Sequence, residues 1–140
     1  GWHPYFTLDA NINELLLEMN ADKMLEFNER LVPTGNIISY KKFQQSEIIG
    51  ETFLDNCFLL KDNNKPACIL RNKSSGLELT IQPDESYPYL QIYTPTHRNS
   101  IAIENLSAAP YAFNNKIGLN ILKPGESCSF KTVYNASVKL

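Results

Sequence analysis

The chain has 140 residues, 43% of them hydrophobic and 20% charged, with a formal net charge of −2. That length and apolar content favour one domain with a core of its own. They exclude a disordered acidic tail and lack the basic footprint on which nucleic-acid binding depends. Apolar runs stop at four residues, as in Cys57-Phe58-Leu59-Leu60, so no membrane-spanning segment is expected.

The chain opens on Gly1-Trp2-His3-Pro4, without Met or a signal peptide. It reads as structured from its first residues, so the start is expected to be an internal point of a longer protein. Strands are expected over 15–19 and 23–27, with Asp9-Ala10-Asn11 and Pro33-Thr34-Gly35 as turn chemistry around them. Residues 21–32 carry two patterns, because Met24, Phe27 and Leu31 also recur at the three- and four-residue spacings of a helix face. Further strands are expected over 53–60 and 67–71, joined through the turn Asp62-Asn63-Asn64-Lys65.

Period-2 alternation is clearest in the second half. Leu77, Leu79 and Ile81 share a face until Pro83-Asp84 stops the run. Leu90 and Ile92 oppose Gln91 in 89–94, and Ile101 and Ile103 oppose Ala102 and Glu104 in 100–106. A short apolar run over 118–122 ends in Lys123-Pro124-Gly125-Glu126, and a last strand is expected over 127–138 with Cys128, Phe130 and Tyr134 in phase. Strand spacing of roughly ten residues points to an all-β sandwich or barrel.

Three cysteines, Cys57, Cys68 and Cys128, form neither an even set nor a C-x-x-C pair. They read as small buried thiols in a reducing, cytoplasmic setting rather than as a disulfide or zinc framework. Asn72, Asn105 and Asn135 each begin an N-x-S/T sequon, which matters only for a secreted protein. Of the two histidines, His97 lies in a turn beside Arg98, whereas His3 sits among Trp2, Pro4, Tyr5 and Phe6. Glu104 and Asp55 are carboxylates set in apolar strands, and a buried carboxylate needs a partner or a hydrogen-bonded ligand.

Taken in order, these segments resemble the aldose 1-epimerase (galactose mutarotase) family. Gly1-Trp2-His3-Pro4-Tyr5-Phe6 resembles its His-containing aromatic segment, Pro33-Thr34-Gly35 its P-T-G turn, and Leu54-Asp55-Asn56-Cys57-Phe58 its D-x-C-F-like strand. Tyr93-Thr94-Pro95 is similar to the strand end before the family's catalytic glutamate. Ile103-Glu104-Asn105, with 109–114 after it, is similar to the segment carrying that glutamate. Leu122-Lys123-Pro124-Gly125-Glu126 resembles the closing L-x-P-G-E turn. The resemblance covers residues 1–140 but only the C-terminal half of the family's fold, a large antiparallel β-sandwich (the galactose mutarotase-like supersandwich).

The resemblance implies an isomerase acting on a free aldose, with Glu104 as general base, His3 as general acid and Asp55 holding sugar hydroxyls. Trp2 and Tyr5 offer aromatic faces to the sugar's C–H surface. Both steps are proton transfers, so neither metal nor redox cofactor is implied. Reference pKa values of about 4.3 for Glu and about 6.5 for His suit opposite protonation states. The sequence departs from the family pattern after Glu104, where Asn105-Leu106-Ser107-Ala108-Ala109-Pro110-Tyr111 replaces a stretch with Pro-Asp. The family's sugar-binding arginine and second histidine have no counterpart in this chain.

Two other readings share these motifs. One is a non-catalytic carbohydrate-binding β-sandwich, which has no need of an acid–base pair. The other is a hexose-phosphate epimerase, which needs a basic phosphate pocket, and only Arg98 stands near the motifs. With half the fold outside the chain, unpaired strand edges are expected, completed by a companion N-terminal segment or by a second copy.

Overall fold

The computed structural model describes residues 1–62 and 64–139. Alternating apolar and polar side chains build two antiparallel sheets that bury their apolar faces against each other. The first, in order β1-β10-β9-β6-β3-β4, contains β1 (Tyr5–Phe6), β3 (Ala21–Phe27), β4 (Pro33–Ser39), β6 (Asp55–Leu60), β9 (Tyr89–Tyr93) and β10 (Ile101–Leu106). The second, in order β11-β8-β7-β2-β5, contains β2 (Leu16–Met19), β5 (Glu47–Ile48), β7 (Cys68–Arg71), β8 (Leu77–Pro83) and β11 (Thr132–Val138). One short helix, α1 (Ala112–Asn115), follows β10.

Between the sheets lies the main core, with Leu15, Leu17, Phe43, Phe58, Leu70, Ile81, Leu90, Ile92, Ile101 and Ile103 all buried. Most of them are the residues whose period-2 spacing marks one face of a strand, with Leu15 and Phe43 added from the connecting segments. The expected all-β sandwich is thus observed, and the ambiguous 21–32 resolves as a strand and a turn. β3 pairs with both β4 and β6, so backbone bonds on both edges override the helical spacing of Met24 and Phe27. No helix among the described residues is long and apolar enough to cross a membrane.

Several expected elements are corrected. Pro33-Thr34-Gly35 is not the turn but the start of β4, with Pro33 opposite Phe27. Asn28 makes the turn instead: its Oδ1 accepts from the Arg30 and Val32 amides, and Leu31 takes a left-handed φ of 56°. Proline is admissible there because β4 is an edge strand. The last strand begins at Thr132 rather than Ser127, because its partner β8 ends at Pro83, directly opposite Thr132. Residues 118–122 and 127–131 form no strand, and Cys128 is exposed, contrary to its expected burial; Cys57 and Cys68 are buried. Asn63, in the expected turn 62–65, lies outside the described residues.

Two polar residues singled out in the sequence prove structural. Asn105 is fully buried and donates through Nδ2 to Thr132 Oγ1 (3.1 Å), and Asn72 donates to the Leu8 carbonyl (2.6 Å). Both sequon asparagines are therefore committed inside the fold, whereas Asn135 is exposed. Arg98 clamps three segments: Nε donates to Asn13 Oδ1 (2.6 Å), and Nη2 to the carbonyls of Gly50 (2.6 Å) and Thr52 (3.2 Å). Replacing it by Met leaves two carbonyls without their charged donor. Urea unfolding of Arg98→Met should therefore show a loss of about 2–3 kcal/mol; an unchanged midpoint would contradict the clamp.

Candidate active site on the outer face of the first sheet

Because side chains alternate across a sheet, the cross-strand partners of β10, β9 and β6 line up on one face in rows. In the central row Glu104 stands opposite Gln91, and Gln91 opposite Cys57. One step along, Tyr5, Ala102, Tyr93 and Asp55 form the next row. On the other side, Leu106, Tyr89 and Leu59 form a third. All three lie on the face away from the main core, since Leu90, Ile92 and Ile103 point the opposite way.

His3 precedes β1, the edge strand paired with β10, and its Nε2 lies 3.1 Å from Glu104 Oε1. The imidazole is stacked on the Tyr5 ring at 4.9 Å between centroids. Its side chain is 53% exposed while that of Glu104 is 9% exposed. Burial pushes the Glu104 carboxyl above the ordinary carboxylate range; nearby His3 opposes this and the Asp55 charge adds to it. Asp55 is fixed from the diagonal position, Gln91 Nε2 donating to its Oδ1 at 3.0 Å. Gln91 is itself buried, and its Oε1 has no hydrogen-bond partner.

His3, Asp55, Gln91, Tyr93, Glu104, Leu106 and Pro110 line one open depression of about 490 Å³. The expected residues His3, Asp55 and Glu104 thus meet although they are distant in sequence. Tyr5 reaches this region through its stacking on His3. Trp2 is not brought there: it is 59% exposed and lies edge-on to Tyr134 of the second sheet, 5.9 Å between centroids. Gln91 and Tyr93 are additions that sequence reading did not single out. Their signal was the phase of Gln91 between Leu90 and Ile92, which assigns it to the non-core face.

A comparison with a second buried carboxylate separates site from scaffold. Glu78 on β8 is ion-paired with Arg71 and, at 2.6 Å, with Lys139 Nζ. Against the cost of burial, those two cations hold its carboxyl below the usual range. Among the described residues the ion-pair partner of Glu104 is a half-exposed imidazole, and Glu104 faces an open depression. Among the described residues no cluster of three or more His, Cys, Asp and Glu is grouped to hold a metal ion.

Comparison with known proteins places the chain in a family and a fold. Residues 1–135 match the family described as aldose 1-epimerase. An uncharacterized protein of Escherichia coli, YihR, is 26% identical over 132 residues, covering 90% of this chain and 42% of that protein. The crystal structure of an aldose epimerase homologue from C. elegans superposes with a TM-score of 0.83 at 25% identity, over 97% of this chain and 50% of that one. A galactose mutarotase-like protein from Clostridium acetobutylicum shares the fold, with a TM-score of 0.84 at 19% identity over 98% and 46%. The chain therefore spans about half the length of these relatives.

The raised carboxyl has a thermodynamic consequence. A group whose folded-state pKa is raised contributes stability below its unfolded pKa and loses it as pH rises through the folded value. Charging Glu104 therefore opposes folding above the ordinary carboxylate range. Glu104→Gln should have a higher Tm than the parent at pH 7, with the gap closing as pH falls below about 4. A lower Tm at pH 7 would show instead that the His3 contact outweighs the cost of burial.

Proposed function

The chain belongs to the aldose 1-epimerase family, and from that membership we propose that the protein interconverts the α and β anomers of a free aldose. The observation that carries the proposal is the 3.1 Å contact of a buried carboxylate, Glu104, with a half-exposed imidazole, His3, at the edge of a depression holding Asp55 and Gln91. An acid and a base side by side, one shielded and one mobile at the edge, suit a reaction that moves one proton off a substrate and another onto it.

In the proposed cycle, the sugar parts the His3–Glu104 pair. Glu104 takes the proton of the anomeric hydroxyl as the protonated His3 gives its proton to the ring oxygen. The bond between C1 and the ring oxygen breaks, leaving an open-chain aldehyde. Rotation about C1–C2 presents the other carbonyl face. The ring hydroxyl then adds back to C1, returning its proton to His3, and Glu104 gives its proton to the new anomeric oxygen. Asp55 accepts from sugar hydroxyls while Gln91 holds it in place. The unpartnered Gln91 Oε1 is a further acceptor for a sugar hydroxyl. The described lining carries no Lys or Arg, and Arg98 is spent in its clamp, which favours an uncharged sugar over a sugar phosphate.

We read the chain as the C-terminal part of this enzyme. Support comes from the half-length coverage of its relatives and from two strands at the same flank, β1 and β11, each pairing on one edge only. A companion segment or a second copy would add strands there, next to His3. Mutarotation followed by polarimetry on the intact protein tests the central role: Glu104→Gln should lower kcat/KM by about 10²–10⁴-fold, and unchanged rates would overturn it. The parent profile should rise with pH through the elevated Glu104 carboxyl.

A further inference from the structure

The first sheet carries a second, smaller apolar cluster on its outer face, separate from the main core. Leu25, Cys57 and Ala109 are buried in it, with Leu59, Tyr89, Leu106 and Ile117 packed around them. Cys57 stands in the same cross-strand row as Glu104, with Gln91 between them. Strands β3, β6, β9 and β10 supply the floor of this cluster, and the segment 107–118 folds back as its roof.

The roof is held shut by its own bonds. Ala109 N donates to the Ile117 carbonyl at 3.1 Å. Asn115 donates to the Pro110 carbonyl (2.9 Å) and accepts from the Ile117 amide (2.9 Å). Both residues flanking α1, Tyr111 and Lys116, take left-handed φ values of 64° and 65°, a backbone conformation that costs a non-glycine residue local strain. At Gly118 (φ 70°) a Cβ would lie 3.0 Å from the Tyr89 ring and 3.2 Å from Ala108 Cα, so only glycine lets the segment close this tightly. The strained backbone thus closes an apolar cover on the face that carries Glu104, with Gln91 between Glu104 and Cys57.

We propose that the roofed Leu25–Cys57–Ala109 cluster is a positioning element that keeps water from the closed side of Glu104 and so sets its strength as a base. The inference deepens the proposed reaction and rests on Glu104 being the base. Other titratable groups around Glu104 are His3 and Tyr5 on the β1 side, the Gly1 amino group, Asp55 and Cys57 on β6, and Tyr89 and Tyr93 on β9. Cys57 does not compete as a charge: burial, with Glu104 adding to it, pushes its thiol up to about 12. At neutral pH it is an apolar neighbour.

The test titrates Glu104 directly, by ¹³C NMR of its side-chain carboxyl, assigned from the signal missing in Glu104→Gln. Cys57→Ser and Ala109→Ser each bring a hydroxyl into the cluster. Cys57→Ala keeps the cluster apolar and leaves a gap too small and too dry to hold water. The two hydroxyl variants should lower the Glu104 midpoint by roughly half a pH unit or more, while Cys57→Ala leaves it in place. Equal midpoints in parent and hydroxyl variants overturn the inference, as does an equal drop in Cys57→Ala. Should Cys57→Ser fail to fold, Ala109→Ser at the roof decides alone. Polarimetry on the same proteins separates the two ideas. Midpoints that move in a protein without mutarotase activity support the cluster's role and refute the base; a fixed midpoint in an active protein does the reverse.

Discussion

The register of β9 between β6 and β10 is the constraint on which the rest depends. It sets Gln91 opposite both Glu104 and Cys57, and Tyr93 opposite both Asp55 and Ala102. A slip of one residue in either ladder would turn one strand's polar groups into the core and its Leu or Ile residues to water. The register is held by what lies on the reverse side, where Leu90, Ile92, Phe58, Ile101 and Ile103 fill the space between the sheets. Apolar packing on one face thereby fixes the spacing of Glu104, Gln91 and Asp55 on the other.

Two buried glutamates show how the same residue type is used differently. Glu78 is paired with two cations, an arrangement that lets a carboxylate be buried within a sheet. Among the described residues, Glu104 is ion-paired only with the half-exposed His3, and Gln91 stands opposite it. Burial raises the Glu104 carboxyl, whereas the two cations at Glu78 lower that one. Left-handed backbone at Tyr111 and Lys116 flanks the depression, and the same conformation occurs elsewhere in the chain at Asp9, Leu31, Phe43 and Arg98.

Strand phase was legible where apolar alternation was strong, as in 77–83, 89–93 and 101–106, because burial on one face dominates local preference there. The pairing of His3, Asp55 and Glu104 was legible through the order of motifs and not through spacing, since a sheet brings together residues that the chain separates by about fifty positions. Edges were hard to read. β4 begins with Pro-Thr-Gly, which carries turn chemistry, and only its place at the rim makes that composition tolerable. Residues 127–131 alternate like a strand, but beyond Pro83 the pairing reduces to one bond, from the Asp84 amide to the Lys131 carbonyl. Trp2 is separated from the depression by the alternation that turns His3 toward it, so one residue's difference in phase assigns the two aromatic rings to different faces.

In the proposed reaction the outer-face rows bind an aldose with its anomeric centre between His3 and Glu104. The most direct measurement is a crystal structure of the intact protein with an aldose bound. The anomeric oxygen should lie within hydrogen-bond distance of Glu104, the ring oxygen within reach of His3 Nε2, and a ring hydroxyl on Asp55. A sugar bound in another cavity, or one lying here with its anomeric carbon turned away from Glu104, would contradict the claim.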